Sequence, residues 1–190
     1  MKYLPSYLKA IVICHGKSEV QMCKFLKNKL RLRIEVESDK NGEKSIQILS
    51  LMKFLNNTIY KTKKAFLAHY SDDIDKLTDD FKIFIIMDTD DCSKQEKEAF
   101  IKKTMFKNHW AYPYIVPIFN DKNLEEVLLN AKIKFEKTGK KMKKEYIKIF
   151  PTDLKYETSD TVQIEEFRDN LVKCKNTNMG EFVDFCLKIA

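Results

Sequence analysis

Two short runs constrain this chain more than anything else in it. Ala10-Ile11-Val12-Ile13-Cys14 and Phe81-Lys82-Ile83-Phe84-Ile85-Ile86-Met87 are almost continuously apolar and rich in β-branched or aromatic residues. A strand with one wet face alternates polar and apolar positions. A run without alternation has to be covered on both faces, as the central strands of a parallel sheet are. Each run stops abruptly, the first at His15-Gly16-Lys17-Ser18 and the second at Asp88-Thr89-Asp90-Asp91. Beyond each stop the apolar residues recur at helical spacing: Val20, Cys23, Leu26 and Leu30 after the first, Phe100, Ile101 and Met105 among Glu98, Lys102 and Lys103 after the second. Strand, polar turn and helix, used repeatedly, imply right-handed crossovers and an α/β fold with a mostly parallel sheet flanked by helices.

The remaining segments fill in around that frame. Leu32, Ile34 and Val36 alternate with Arg33, Glu35 and Glu37, which predicts a strand exposed on one face and near a sheet edge. Asn41-Gly42 signals a turn, and Ile46, Leu49, Met52 and Leu55 predict a helix with those residues inward. Residues 62–80 read as helical in part. Tyr114–Phe119 predicts a strand made peripheral by Pro113 and Pro117, with Asn123 capping a short helix from Leu124. Past residue 131 the pattern changes. Eight lysines fall between Lys132 and Lys148, and helical stretches near Val162–Val172 and Met179–Ile189 follow. The division expected is an α/β domain over 1–131 and a Lys-rich helical C-terminal extension over 132–190, packed on the same domain.

Composition limits the partners. A net charge of +7, from 35 basic against 28 acidic residues, suits an anionic partner such as nucleic acid and equally suits an ordinary lysine-rich surface. Tyr146 and Phe150, near the lysine run, fit base stacking or core packing. The five cysteines are odd in number, irregularly spaced and without a C-x-x-C pair, so they read as reduced structural thiols. No secretory signal or membrane span follows Met1-Lys2-Tyr3-Leu4-Pro5, and a cytoplasmic location is expected.

Chemistry in an open parallel sheet gathers where strands end and helices begin. Three carboxylates within Asp88–Asp91 repel one another unless a cation or base sits among them. If the strand persists, Asp88 and Asp90 point the same way and can reach one hard cation, magnesium or manganese. The plainer reading is that they cap the next helix and face water. Gly16 allows backbone to approach a phosphate or metal closely, and the helix start behind it favours anions. A P-loop is excluded, because Ile11 stands where the first glycine is needed. His15-Gly16 after a strand is also similar to the start of histidine phosphatases, but Cys14 holds the place of their arginine. His69 and His109 lack local partners of ligand type and read as structural.

Taken together, Ile11-Val12-Ile13-Cys14-His15-Gly16-Lys17-Ser18-Glu19 and Phe84-Ile85-Ile86-Met87-Asp88-Thr89-Asp90-Asp91 resemble the two motifs of the TOPRIM superfamily. With the stretch Asn120–Leu128, they look most like the small RloB-like and OLD-type nuclease-related proteins of phage-defence loci. The resemblance covers residues 8–130. It implies a TOPRIM/Rossmann-like fold, Mg2+ or Mn2+ as cofactor, and nuclease chemistry on DNA or RNA. Mapped onto this chain, it implies Glu19, Asp88, Asp90 and Asp91 as metal ligands, His15, Glu19, Asp88 and Asp90 as catalytic residues, and Gly16 and Lys17 at the bound phosphate or metal. His15 stands where the family places its glutamate. The site is therefore either rearranged around Glu19, or has kept binding alone as a subunit that holds nucleic acid or a partner ATPase. A homo-oligomer is left open.

Overall fold

A computed structural model describes residues 7–74, 76–133 and 161–190. Four strands form one all-parallel sheet: β1 (Ala10–Cys14), β2 (Ile34–Glu37), β3 (Lys82–Asp88) and β4 (Ile115–Asn120), in the spatial order β2-β1-β3-β4. The helices are α1 (Lys17–Lys29), α2 (Ile48–Asn56), α3 (Lys63–His69), α4 (Lys94–Ile101), α5 (Leu124–Asn130), α6 (Val162–Val172) and α7 (Met179–Lys188). The α/β reading with a parallel sheet and a helical C-terminal part holds. The alternating segment Leu32–Glu37 supplies the edge strand β2, and the proline-bearing one supplies the opposite edge strand β4.

Strand periodicity sorts the core into two layers. Ala10, Val12 and Cys14 of β1, Phe84 and Ile86 of β3, and Ile118 of β4 pack against α1, α5, α6 and α7. The intervening residues, Ile11, Ile13, Ile83, Ile85, Met87 and Ile115, pack on the other side against α2, α3 and Phe100 of α4. Every residue of β1 is fully buried, which is why its sequence shows no alternation. α7 is tied to the sheet by aromatic contacts, with Phe84 lying 5.1 Å from Phe182 and 4.8 Å from Phe185 between ring centroids. The described part of the C-terminal extension thus shares the core of the sheet.

Local chemistry sets several boundaries. Ser93 and Glu96 cap α4 reciprocally: the Ser93 Oγ accepts from the Glu96 N–H, while Glu96 Oε2 accepts from the Ser93 N–H at 2.8 Å. Asn123 caps α5 through its Oδ1, as the sequence predicts. Two expectations are corrected. In α2 the inward stripe is Ile48, Leu51 and Leu55, and Leu49 is 63% exposed, because the helix begins at Ile48 and its buried face is turned accordingly. The helix expected to run on to Met105 ends at Ile101; Lys103 takes φ +63°, and Thr104–Phe106 forms a separate short turn. Of the lysine run only Lys132 lies among the described residues; the rest of it, Tyr146 and Phe150 lie outside them.

The chain leaves β1 to one side, makes β2, then crosses back to β3 on the other side. The reversal falls between β1 and β3. In such sheets the crevice beyond the carboxyl ends of the two central strands is where ligands bind.

Candidate functional site

The two polar turns singled out by sequence open at this crevice. Cys14 pairs with Ile86, and the His15 N–H donates to the Ile86 carbonyl at 2.8 Å, so the loop after β1 lies directly beside the end of β3. His15 is half-buried and clamped twice to the segment before α2. Its carbonyl accepts from the Ile46 N–H, and its Nδ1 lies 2.8 Å from the Ile46 carbonyl. Only a donor satisfies that carbonyl, so Nδ1 carries a proton, and Nε2 is the ring nitrogen left for another partner. Metal-binding and proton-accepting histidines are commonly oriented in this way.

Gly16 caps α1 with extended backbone, φ −151°, which any residue adopts. Conformation therefore does not demand a glycine there; an added Cβ would meet Ser45 Oγ at 3.4 Å and Glu19 Oε2 at 3.5 Å. Gly42 is different. Its φ is +82°, and a Cβ on it would stand 2.7 Å from the Lys17 Cα, so the loop after β2 presses backbone to backbone on the start of α1. Lys17, at the first position of α1, is half-buried under this contact.

Glu19 and Asp88 carry the electrostatics. Glu19 is 2% exposed and its Oε2 accepts from the Gly16 N–H at 3.0 Å, the backward half of a capping box. Asp88, the last residue of β3, is 7% exposed. It continues the Phe84-Ile86 face and so points to the α1 side of the sheet. Its carboxyl is pushed up to about 8, chiefly by burial and next by the charge of Glu19; the Asn120 amide and His15 oppose this, and Asp90 adds slightly to it. A carboxyl group whose ionisation is opposed by burial and by a nearby carboxylate is stabilised by a proton or by a cation.

The other predicted carboxylates are placed differently. β3 ends at Asp88, so Asp90 does not continue the alternation; it sits exposed in the following turn and acts on Asp88 less than burial, Glu19, Asn120 or His15. Strand persistence, on which a shared orientation of Asp88 and Asp90 depended, is therefore corrected. Asp91 is half-buried, with an Oδ1 that is enclosed and has no hydrogen-bond partner among the described residues. Among the described residues no three His, Cys, Asp or Glu side chains gather as a metal-holding group. The donors present still suit a hard cation. Magnesium takes oxygen, commonly uses only one or two protein carboxylates, and keeps water or substrate phosphate as its remaining ligands. Glu19 and Asp88 meet that requirement, and neither offers the sulfur or nitrogen a softer ion prefers.

Several contributors were not singled out individually from the sequence. Asn120, fully buried at the end of β4, pairs with Asp88 across the sheet, and its Nδ2 donates to Asp88 Oδ1 at 3.1 Å. Thr177, just before α7, reaches Asn120 through an isolated antiparallel bridge and its hydroxyl. Asp121 pairs with Lys97 at 2.5 Å, which holds the Asp121 carboxyl below its ordinary range. Asn120 could have been marked by analogy with Asp88, since both are polar residues ending an apolar strand. Thr177 lies 57 residues further along the chain, and only the fold brings it in.

His69 is exposed against the Tyr70 ring, and His109 is buried with its Nδ1 accepting from the Ala111 N–H; both are remote from the acidic crevice in their contacts. All five cysteines are free thiols. Among the described residues no helix is long and apolar enough to cross a membrane. No family model, no curated protein and no solved structure matches the chain.

Proposed function

We propose that this chain is a TOPRIM-like, metal-dependent nuclease that hydrolyses phosphodiester bonds in DNA or RNA, of the kind found in phage-defence loci. One observation carries the reading. Two buried carboxyl groups, Glu19 and Asp88, lie at the reversal point of a parallel sheet, and burial together with the nearby charge of Glu19 raises the proton affinity of Asp88.

Glu19 and Asp88 would hold the ion. When bound, Mg2+ or Mn2+ would polarise a phosphoryl oxygen and orient the attacking water. His15, with its proton committed at Nδ1 to the Ile46 carbonyl, offers Nε2 to accept a proton from that water. Lys17, at the start of α1, offsets phosphate charge together with the first N–H groups of the helix. Asp90 and Asp91, in the turn beyond β3, would assist through water.

The test is titration calorimetry with Mg2+ and Mn2+ alongside a cleavage assay on single- and double-stranded DNA and RNA. The parent binds ion and cleaves; Asp88→Ala does neither. A variant that cleaves as well as the parent removes the assignment. A second reading draws on the absence of a third gathered ligand among the described residues and on His15 in the glutamate position. In it the chain is a catalytically degenerate TOPRIM-like subunit that binds nucleic acid or a partner ATPase. Nucleic-acid affinity that falls with salt, without heat from either ion, selects that reading.

A further inference from the structure

We propose that Thr177 and Asn120 form a positioning relay that fixes the Asp88 carboxylate for cation binding, so that the C-terminal segment is part of the site rather than only its cover. The inference rests on the metal-site reading above and deepens it.

The relay is built from fully enclosed groups. Asn120 is 0% exposed and Thr177 is 7% exposed. The Thr177 Oγ1 accepts from the Met179 N–H at 2.9 Å, so the first turn of α7 holds it in place. Its own proton is directed at two acceptors, Asn120 Oδ1 at 3.1 Å and the Phe119 carbonyl at 2.9 Å. With the Asn120 amide oxygen turned to the Thr177 hydroxyl, the hydroxyl proton is shared between that oxygen and the Phe119 carbonyl. The amide therefore presents its NH2 group to Asp88, and the 3.1 Å contact from Nδ2 to Oδ1 follows. One oxygen of Asp88 is thereby held as an acceptor in a fixed orientation, which is how second partners orient metal-binding carboxylates.

The same segment also makes contacts that bypass the relay. Asn178 Oδ1 accepts from the Phe119 N–H at 2.9 Å, and its Nδ2 donates to the Pro117 carbonyl at 3.0 Å. The Asp121 N–H donates to the Asn176 carbonyl at 2.7 Å. Residues 176–178 thus bind the edge of β4 through several contacts, of which only the Thr177 hydroxyl leads to Asp88. That difference separates a positioning role from a structural one.

The experiment compares Mn2+ affinity, by calorimetry and by the electron paramagnetic resonance signal of bound Mn2+, in the parent, Thr177→Val, Thr177→Ser and Asn178→Ala, with a melting curve of each without metal. Thr177→Val keeps the shape and loses the hydroxyl, and it weakens Mn2+ at least about tenfold, the usual cost of losing such a partner. Thr177→Ser restores the hydroxyl and stays within about twofold of the parent, whereas Asn178→Ala lowers the melting temperature and also leaves affinity within about twofold, by the same reasoning. Equal affinity for the parent and Thr177→Val overturns the relay and leaves the metal site standing. Equal losses in Thr177→Val and Asn178→Ala also overturn it, by showing a structural effect. A parent that binds no Mn2+ removes the site and the relay together. Should Thr177→Val not fold, Asn120→Ala takes its place in the same titration.

Discussion

Replacing Asp88 by asparagine keeps the shape of the side chain and an oxygen for the Asn120 amide while removing the ionisable group. An ordinary aspartate in the unfolded chain ionises near 3.9, whereas in the fold burial and Glu19 hold Asp88 up at about 8. Between those values the folded protein binds more protons than the unfolded one, so stability falls as pH rises through the window. At pH 7 the difference amounts to at most ~4 kcal/mol. The surroundings relax around a newly charged group, and about half that figure, roughly 2 kcal/mol, is the working value. For a chain of this length ~2 kcal/mol corresponds to a rise of about 4–8 °C in melting temperature. Metal-free Asp88→Asn should therefore melt above the parent at pH 7 and coincide with it near pH 4.5. Mn2+ at a hundred times its dissociation constant adds about 2.7 kcal/mol to the parent and nothing to the variant, so the gap closes. Differential scanning fluorimetry across pH 4.5–8, with and without Mn2+, reads all of this. A variant that is less stable than the metal-free parent at pH 7, or a gap that does not change with pH, refutes the argument that burial and the nearby Glu19 charge oppose ionisation of Asp88.

Three further outcomes follow from the same geometry. Gly42→Ala places a Cβ 2.7 Å from the Lys17 Cα at φ +82° and should cost at least ~2 kcal/mol in urea unfolding, a backbone strain that a surface loop would not show. His15→Asn retains a donor able to reach the Ile46 carbonyl but has no second nitrogen to take a proton; cleavage should fall by about a hundredfold or more with the melting temperature within about 2 °C of the parent, whereas unchanged cleavage assigns proton transfer elsewhere. Burial raises Cys23 and Cys186 well above an ordinary thiol, and Cys14 lies with them in the same core; native alkylation monitored by mass spectrometry should label Cys92 and Cys174 alone, and rapid labelling of Cys23 would contradict the packing of α1.

The sheet was legible because burial on both faces leaves a mark that no loop imitates: Ala10–Cys14 and Ile83–Met87 carry no polar residue in a continuous run. Edge placement was legible for the complementary reason, since Glu35 and Glu37 need water and Pro117 gives up a hydrogen bond. Helix faces were less so. Leu49 and Ile48 are both apolar, and which of them turns inward depends on where α2 starts, a choice made by the clamp between Ile46 and His15, 31 residues apart. The acidic crevice was legible in part. Glu19 and Asp88 stand out as charges beside apolar strands, but Asp90 carries the same letter as Asp88 and only the end of β3 separates a buried carboxyl from an exposed one.

The departure at residue 15 has a geometric consequence of its own. A glutamate in that position would extend from the loop immediately after β1. Glu19 instead sits in the first turn of α1, where the Gly16 N–H grips its Oε2 and the helix start favours its charge. The carboxylate is supplied from the helix, and the loop position is released for a group with different chemistry. His15 uses that freedom, because its Nδ1 is already occupied by the Ile46 carbonyl and Nε2 is what remains. In the nuclease proposed above, the site would divide between two residues what one glutamate would do, charge at Glu19 and proton transfer at His15. The double variant His15→Glu with Glu19→Gln tests that division. It moves the carboxylate to the loop with one carboxylate kept, and should bind Mn2+ while losing the side-chain half of the Ile46 clamp. If it binds no ion, the helix position of the carboxylate is itself a requirement of the site, because the carboxylate count is the same in both arrangements.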